Sequence, residues 1–293
     1  MIKLSILLAS KNQAKFIPDL LSSLRSQSCQ DFELIVVDSF SSDGSINLFR
    51  SFKKARIFLK ECSADEAYAF ALKKAKGKYI ALMTTSDYLY SPRWIENSIK
   101  TLDRDENISL VWGSAIYINE SGVIKGIWGE HFLNNPPPNG FRYFYYWFFN
   151  PYLPELNYVV RKNVYKYCYK NKLKLDFLFI FLLNFTKYGF LPSYLPELAH
   201  AGRSHSNSLT KKKRLNDINQ YYLLLRKYQF LYFINVLFFP KKHFFRNGKL
   251  KKIGKLNLTD RIIMPFNILM IFLIETPKAI FRKFKNYFFL KLD

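Results

Sequence analysis

The sequence predicts an α/β protein whose mostly parallel sheet is flanked by helices. Short apolar runs alternate with amphipathic helical patterns through the first 120 residues, the order typical of repeated βαβ units. The apolar runs are about four to eight residues long, as in strands that are buried on both faces. Polar residues follow several of these runs, and ligand sites of parallel sheets lie beyond the carboxyl ends of the strands.

Five apolar runs are predicted as strands. They share a high content of Ile, Leu, Val and aromatic residues and end at polar turns: Leu4–Ala9, Phe32–Asp38, Ala55–Leu59, Lys78–Met83 and Leu110–Tyr117. Each is too short for a typical helix and long enough for a strand. Together they predict the sheet of the N-terminal half.

The segments between these strands show helical spacing and helix-end signals. After the first strand, apolar residues recur three or four apart at Ile17, Leu20, Leu21 and Leu24, which puts them on one helical face. A second, short helix contains Ile46 and Phe49. Residues 64–76 are rich in Ala and Lys and stop at Gly77, which we predict as the C-cap. Pro92 lies near the start of a helix that runs through Leu102.

The charge is distributed unevenly along the chain. Its 293 residues include 45 Lys and Arg against 22 Asp and Glu, a formal net charge of +23. Residues 1–150 contribute +3 and residues 151–293 contribute +20. A hydrophobic content of 49% excludes a disordered basic tail. The second half is therefore expected to face an anionic partner, and composition alone leaves a phospholipid surface and nucleic acid open.

Residues 211–293 are predicted as a basic, aromatic, helical region that associates with a membrane. Large apolar residues are interspersed with Lys and Arg in three helical stretches, Tyr221–Phe239, Ile262–Ile274 and Ala279–Leu290. Helices that lie in the membrane interface have this pattern. The apolar runs are shorter than the roughly 18 to 20 residues of a membrane span. Nucleic acid is disfavoured as a partner, because the cations form no recognisable nucleic-acid module.

The cysteines indicate the compartment. Cys29, Cys62 and Cys168 are far apart and have no nearby Cys or His at metal-ligand spacing. We interpret them as reduced thiols, which are typical of the cytoplasm. With the basic C-terminal region, this predicts a cytoplasmic protein that is peripheral on the inner face of the cell membrane.

Two carboxylates mark a candidate site. Asp38 ends the second strand and Asp87 follows the fourth, so both are expected at one edge of a parallel sheet. One carboxylate can bind a base or ribose, and the other can bind a divalent cation that neutralises a diphosphate. Alternatively, Asp38 caps a turn and Asp87 caps a helix. The sequence has no glycine-rich phosphate-binding motif, which makes a metal the more natural partner of a phosphate.

Several of these segments resemble the family-2 inverting glycosyltransferases with the GT-A fold. Ser5–Ala14 and Leu24–Ser45 are similar to the family's opening strand and its Val-Val-Asp-Asp-x-Ser-x-Asp-Gly turn. Ala75–Pro92 is similar to the segment that carries the family's metal-binding aspartate. The resemblance covers roughly residues 2–120 well and 150–208 loosely.

The resemblance implies a domain organisation. A Rossmann-like GT-A domain is expected over residues 1–210, with a nucleotide-binding half at 1–120 and an acceptor half at 121–210. The membrane-associating region then covers 211–293.

The resemblance also implies roles for residues of the N-terminal half. Asp38 would contact a uracil-type base, and Ser10 and Asn12 would shape the nucleotide pocket. Ser86 would belong to the nucleotide-sugar site, and Asp87 would bind Mn²⁺ or Mg²⁺ at the sugar diphosphate.

Three further roles follow from the later part of the resemblance. Asp176 falls where the family has an acidic residue ahead of an aromatic helix, so it would be the catalytic base. It would deprotonate an acceptor hydroxyl, which attacks the anomeric carbon as the diphosphate leaves. His200–Ser208 resembles the family's R-x-H-x-x-S loop, so Arg203 would contact the diphosphate and His205 would bind the metal or the diphosphate.

Departures from the family pattern keep two functions open. Ala9 stands in place of Pro, Ser39 and Ser86 replace members of paired aspartates, and Ala69 replaces Asn. The leading hypothesis is a glycosyltransferase that moves a sugar from a nucleotide-sugar, UDP-linked, to a glycan or polyprenyl-diphosphate-linked precursor of a cell-surface polysaccharide or lipopolysaccharide. The alternative is a catalytically degenerate GT-A scaffold that acts as a membrane or complex partner.

Overall fold

The computed structural model of the chain describes residues 2–136, 156–169, 181, 184–185, 190–206, 243–246 and 249–252. The helices in these ranges are α1 (Ile17–Arg25), α2 (Ser45–Arg50), α3 (Ala64–Lys74), α4 (Trp94–Arg104), α5 (Glu130–Asn134) and α6 (Lys162–Cys168). The strands are β1 (Leu4–Ser10), β2 (Phe32–Asp38), β3 (Ala55–Leu59), β4 (Tyr79–Thr84), β5 (Tyr88–Leu89), β6 (Ile108–Ile118), β7 (Ile124–Trp128), β8 (Tyr158–Arg161), β9 (Leu191–Arg203), β10 (His243–Arg246) and β11 (Lys249–Lys252).

Most of the described strands belong to one mixed sheet, in the order β3-β2-β1-β4-β8-β6-β9-β5, with β7 paired to β6. Strands β3, β2, β1 and β4 all run parallel. Strand β8 runs antiparallel between β4 and β6, and β9 runs parallel to β6. The predicted α/β class is thus confirmed. The ends of β1, β2 and β4 meet at one edge of the sheet, which we call the carboxyl edge.

Helix α1 buries the face that its sequence spacing predicts. Ile17, Leu20, Leu21 and Leu24 are all buried, and they belong to the same apolar core as β1 and β2. Each such side chain contributes about 1.5–3 kcal/mol when it leaves water. The loop after β1 leads directly into α1, so the helix begins at the carboxyl edge. Its packing against the core then holds it there.

Gly77 does not end a helix, so that prediction was wrong. Helix α3 stops at Lys74 and its C-cap, Ala75, has an extended backbone. A Cβ atom on Gly77 would lie 2.6 Å from the backbone nitrogen of Ser5. Glycine is needed there because the chain passes closely over β1 before it enters β4.

A buried carboxylate joins elements at the opposite, amino edge. Glu33 accepts hydrogen bonds from Ser5 Oγ at 2.6 Å, from the Lys76 backbone N–H at 2.7 Å and from Arg56 Nη1 at 2.6 Å. Burial alone raises the pKa of Glu33, but the three donors outweigh it and hold the pKa below its ordinary value. The charge is satisfied inside the protein, so this cluster is structural.

The region after residue 210 is described only in part. Strands β10 and β11 pair antiparallel, with His243 opposite Lys252. The predicted helical stretches at 221–239, 262–274 and 279–290 lie outside the described residues, and the domain boundary at 210 stays a prediction. In the portion that the structure describes, no helix is both long and apolar enough to cross a bilayer.

Candidate functional site

Two loops at the carboxyl edge are joined by hydrogen bonds. One follows β1 and the other follows β2, and we call residues 11–16 and 39–44 the paired loops. The Asn12 N–H donates to Ser41 Oγ at 2.8 Å, and Asn12 Oδ1 accepts from the Ser42 N–H at 2.9 Å. The Ala14 N–H donates to Asp43 Oδ2 at 2.8 Å. Asn12 therefore holds the two loops together at the carboxyl edge. Its predicted role in shaping a nucleotide pocket stays a prediction.

Asp38 is fully buried and organises the second of these loops. Its Oδ1 accepts from the Ser41 N–H and its Oδ2 from the Ser41 hydroxyl, each at 2.7 Å. This is the turn-capping role that the sequence left open as an alternative. Each oxygen keeps a second lone pair that could accept a further hydrogen bond. The predicted contact of Asp38 with a base stays a prediction.

Two polar atoms in this part of the site lack a protein partner. Ser10 Oγ and Gln13 Oε1 are buried, and neither hydrogen-bonds within the described residues. Buried polar groups normally have partners, so both atoms are suited to contact a bound molecule. Ser10 is a predicted pocket residue. Gln13 was missed, because an isolated Gln in a loop has no sequence signal of its own.

Asp87 lies buried just after β4. Its Oδ1 accepts the Arg203 backbone N–H at 3.0 Å, and its Oδ2 lies 3.6 Å from His200 Nε2. Burial raises the pKa of Asp87, but the His200 side chain and the Arg203 N–H outweigh it and hold the pKa below its ordinary value. The carboxylate is therefore ionised at neutral pH. The predicted site residue Ser86 is adjacent, with its hydroxyl 3.4 Å from Asp87 Oδ1.

His200 is a functional candidate that the sequence did not single out. It lies on β9 opposite Leu89 of β5, and its Nδ1 is buried with no hydrogen-bond partner in the described part of the chain. Only the long-range pairing of β5 with β9 brings it to Asp87. The sequence neighbourhood of His200 contains no signal for that pairing.

The guanidinium group of Arg203 is engaged by the protein itself. Nε donates to Ser86 O at 3.1 Å, and Nη1 donates to Glu120 O at 2.9 Å. Nη2 donates to Asp19 Oδ2 at 2.6 Å. Arg203 thus ties the end of β9 to α1, to the β6–β7 turn and to the segment that holds Asp87. Its predicted contact with a diphosphate stays a prediction.

Of the two remaining predicted site residues, His205 is among the described residues and Asp176 is not. His205 is buried, and its ring lies 5.0 Å from that of Phe16. The Arg203 guanidinium lies over the same Phe16 ring at 5.2 Å, so His205 belongs to the neighbourhood of Arg203. The predicted base Asp176 lies outside the described residues.

The carboxyl edge fits a cation that is shared with a substrate. Within the described ranges, no group of three or more His, Cys, Asp and Glu residues could hold a metal ion by itself. Mg²⁺ is commonly bound through one or two carboxylates together with substrate phosphates and waters. Asp87 supplies one ionised carboxylate of this kind, so the residues fit a divalent cation in the presence of a diphosphate.

The fold and this edge define the class of protein, an α/β protein of the GT-A type. The model of glycosyl transferase family 2 matches residues 5–166, more than half of the chain. The chain belongs to this family.

Relatives of known name match part of the chain. It is 31% identical over 130 residues to the Escherichia coli UDP-Glc:alpha-D-GlcNAc-diphosphoundecaprenol beta-1,3-glucosyltransferase WfaP, covering 43% of this chain and 51% of that protein. It is 29% identical over 140 residues to the poly(ribitol-phosphate) beta-glucosyltransferase of Bacillus spizizenii, covering 44% and 21%. The chain thus spans about half the length of the first relative and less of the second.

Solved structures share the fold. Staphylococcus aureus TarS 1–349 in complex with UDP-GlcNAc superimposes with a TM-score of 0.57 at 17% identity, covering 77% of this chain and 66% of that one. The mannosyltransferase PcManGT from Pyrobaculum calidifontis, in complex with GDP-Man and Mn²⁺, gives 0.51 at 13% identity, covering 80% and 64%. These likenesses concern the fold alone.

Proposed function

We propose that the protein transfers a sugar from a nucleotide-sugar, UDP-linked, to a hydroxyl group of a lipid-linked or cell-surface polysaccharide precursor. The observation that carries the proposal is Asp87, an ionised carboxylate buried at the carboxyl edge between His200 and the Arg203 N–H. A buried charge with a depressed pKa in a ligand-binding crevice is typical of a functional group. The name of the Escherichia coli relative specifies UDP-Glc and a diphosphoundecaprenol acceptor, which supports the proposed substrate classes.

The nucleotide part of the donor is assigned to the paired loops. Ser10 Oγ and Gln13 Oε1 are the buried polar atoms there that need a partner. The hydrogen bonds between Asn12 and the second loop hold the pocket in one arrangement before the ligand arrives. Preorganisation of this kind increases affinity, because less freedom is lost on binding.

The diphosphate is assigned to the neighbourhood of Asp87. This carboxylate would hold Mn²⁺ or Mg²⁺, and the cation would stabilise the negative charge of the leaving diphosphate. His200 orients the Asp87 carboxylate, as outer-shell partners of metal ligands commonly do. Ser86 and Arg203 belong to the same group, because Arg203 binds the Ser86 carbonyl oxygen through Nε and the Asp87 carboxylate through its backbone N–H. Asp176 is the proposed base that takes the proton of the acceptor hydroxyl.

A lipid-linked acceptor implies that the protein works at a membrane surface. A polyprenyl-diphosphate-linked acceptor resides in the bilayer, and residues 151–293 carry a net charge of +20. Basic, aromatic segments bind anionic membrane surfaces. We therefore propose a cytoplasmic protein, peripheral on the inner face of the cell membrane.

The proposal is tested by thermal unfolding of the full chain with UDP, with Mn²⁺ and with both. A ligand at 100 times its Kd stabilises a protein by about 2.7 kcal/mol, which corresponds to roughly 5–10 °C in Tm. We expect this shift with UDP plus Mn²⁺ and expect Asp87→Asn to lose it. Asp31→Asn, which changes an exposed aspartate at the amino edge, is the matched control.

The outcome separates the two candidate functions. Nucleotide binding together with sugar release from a UDP-sugar supports the transferase. Binding without any turnover, on any donor or acceptor supplied, supports the degenerate scaffold. The absence of a shift with every nucleotide contradicts the transferase, because sugar transfer requires a bound donor, and it favours the scaffold that acts as a membrane or complex partner.

A further inference from the structure

One residue of the paired loops has an unusual backbone. Phe40 has a φ of +54°, in the left-handed region. Bulky residues rarely adopt this conformation, because their Cβ atom crowds the neighbouring carbonyl oxygen. Such outliers persist where the surrounding structure fixes them, and they cluster at functional sites.

The surroundings of Phe40 fix it from both sides. On one side Asp38 binds both the N–H and the hydroxyl of Ser41. On the other, the Ser42 N–H donates to Asn12 Oδ1. Asn12 itself has a φ of +50°, and these two are the non-glycine residues with positive φ in the described chain. The two unusual residues therefore belong to one hydrogen-bonded unit.

The phenyl ring contributes little to the fold. The side chain is 59% exposed, the largest exposure among the big hydrophobic side chains that the structure describes. Among the described residues, no aromatic ring or cation packs on it, whereas Phe16, Phe32 and Phe58 all have such contacts. Phe40 thus combines an unusual backbone conformation with an aromatic ring that is exposed to solvent.

The place of Phe40 in the loop indicates the kind of molecule that its ring suits. Phe40 follows the end of β2 by two residues and lies in the loop that is bonded to the first loop at Asn12. The unpartnered Ser10 Oγ and Gln13 Oε1 lie at this same end of β1. A planar ligand with polar edges suits this combination, since its face can stack on an aromatic ring while its edges meet polar atoms.

We propose that Phe40 is the stacking surface for the nucleobase of the donor. This inference rests on the proposed function and adds a residue to it. In the family's turn pattern, Phe40 occupies the variable position after the paired acidic positions, so it is a feature of this chain. Asp38 holds the turn that presents the ring, and the ring holds the base.

The test measures UDP affinity by calorimetry, in the presence of Mn²⁺, for the full chain and three variants. Phe40→Leu removes the ring and keeps an apolar side chain. Phe40→Gly removes the ring and relieves the backbone, and Phe40→Tyr keeps the ring. Base stacking on an aromatic side chain contributes enough that Leu and Gly are expected to weaken UDP binding about 10- to 100-fold. Tyr is expected to stay within about threefold of wild type, because its π-face is retained.

Three further readouts separate stacking from a general effect on the loop. Inorganic pyrophosphate, measured as a competitor, lacks a base, so its affinity is expected to be unchanged in Phe40→Leu. GDP is expected to lose a similar factor to UDP, because every base has a π-face. Phe40→Gly is expected to raise Tm by about 1–3 °C while it weakens UDP, since glycine adopts positive φ without strain.

The outcomes distinguish this inference from the proposed function. If wild-type protein binds no nucleotide, the proposed function fails and the inference fails with it. If wild type binds UDP and Phe40→Leu binds it equally well, the stacking role is wrong and the donor site stands. Equal losses for UDP and pyrophosphate in Phe40→Leu also overturn the stacking role, because the residue would then act through loop geometry.

Discussion

Replacing Arg203 by methionine tests how the site is held together. Methionine keeps an unbranched stem of similar length and removes the three donors that reach Ser86 O, Glu120 O and Asp19. Two of these acceptors are backbone carbonyls, each bound by a charged donor, and such bonds contribute about 1.5–3 kcal/mol. The pair with Asp19 adds at most about 1 kcal/mol, because the Asp19 side chain is largely exposed.

The expected loss is therefore about 4 kcal/mol, a large part of the roughly 5–15 kcal/mol that stabilises a typical domain. At about 2–4 °C per kcal/mol, Tm is expected to fall by roughly 10 °C. Urea unfolding followed by the fluorescence of the buried Trp94 and Trp112 measures the change. Arg104→Met, at an exposed position of α4, is the matched control and is expected to change stability by less than about 0.5 kcal/mol.

Arg203→Lys refines the same test. A lysine ammonium is a single point charge and cannot reach three separated acceptors. We therefore expect Arg203→Lys to be less stable than wild type and more stable than Arg203→Met. If Arg203→Met unfolds at the wild-type urea concentration and loses only UDP binding, the proposed role of Arg203 in holding these three segments together is refuted. Arg203 would then act chiefly as a ligand of the diphosphate.

Three further substitutions test His200, Gly77 and Glu33. Replacing His200 by Phe removes the imidazole beside Asp87. We expect this variant to bind Mn²⁺ in the presence of UDP about 10- to 100-fold more weakly, as measured by electron paramagnetic resonance. An unchanged Mn²⁺ affinity contradicts the orienting role of His200. Gly77→Ala forces a Cβ against the Ser5 backbone and is expected to cost about 1–3 kcal/mol in urea unfolding, whereas a neutral effect would show that the chain can shift there. Because the pKa of Glu33 is lower in the folded than in the unfolded protein, its stabilisation is complete above the ordinary Glu pKa of about 4.3 and declines as pH falls through the folded value. The stability difference between wild type and Glu33→Gln is thus expected to shrink below about pH 4, and a difference that is constant with pH contradicts this assignment.

Local sequence was sufficient to predict the elements whose apolar residues form a clear pattern along the chain. The spacing of Ile17, Leu20, Leu21 and Leu24 defines a single apolar face, and that face is the one buried in α1. The strand end at Asp38 was also predictable, because buried strands stop where polar residues begin. The predicted end of the fourth strand at Met83 lies one residue before the observed end of β4 at Thr84. The rule that parallel strands end at a common edge then brought Asp38 and Asp87 to the same side of the sheet.

Contacts between distant segments were beyond that reasoning. His200 reaches Asp87 only because β5 and β9 pair, and the partners of Arg203 come from α1, from the β6–β7 turn and from the segment after β4. Gly77 was assigned from its neighbours along the chain as a cap, whereas its role depends on how closely β1 passes. The unusual φ of Phe40 likewise has no signal in a sequence, since many residue types occupy variable loop positions.

The most direct test of the central claim is sugar release from a panel of nucleotide-sugars by the purified full chain with Mn²⁺, analysed by mass spectrometry. We expect at least one donor, UDP-linked, to yield free nucleoside diphosphate in wild type and in Asp31→Asn. We expect Asp87→Asn to lower this rate at least about 100-fold, because a transition-state charge then loses its stabilisation. Equal rates in wild type and Asp87→Asn would contradict the claim that the carboxyl edge, organised around Asp87, is the site of sugar transfer.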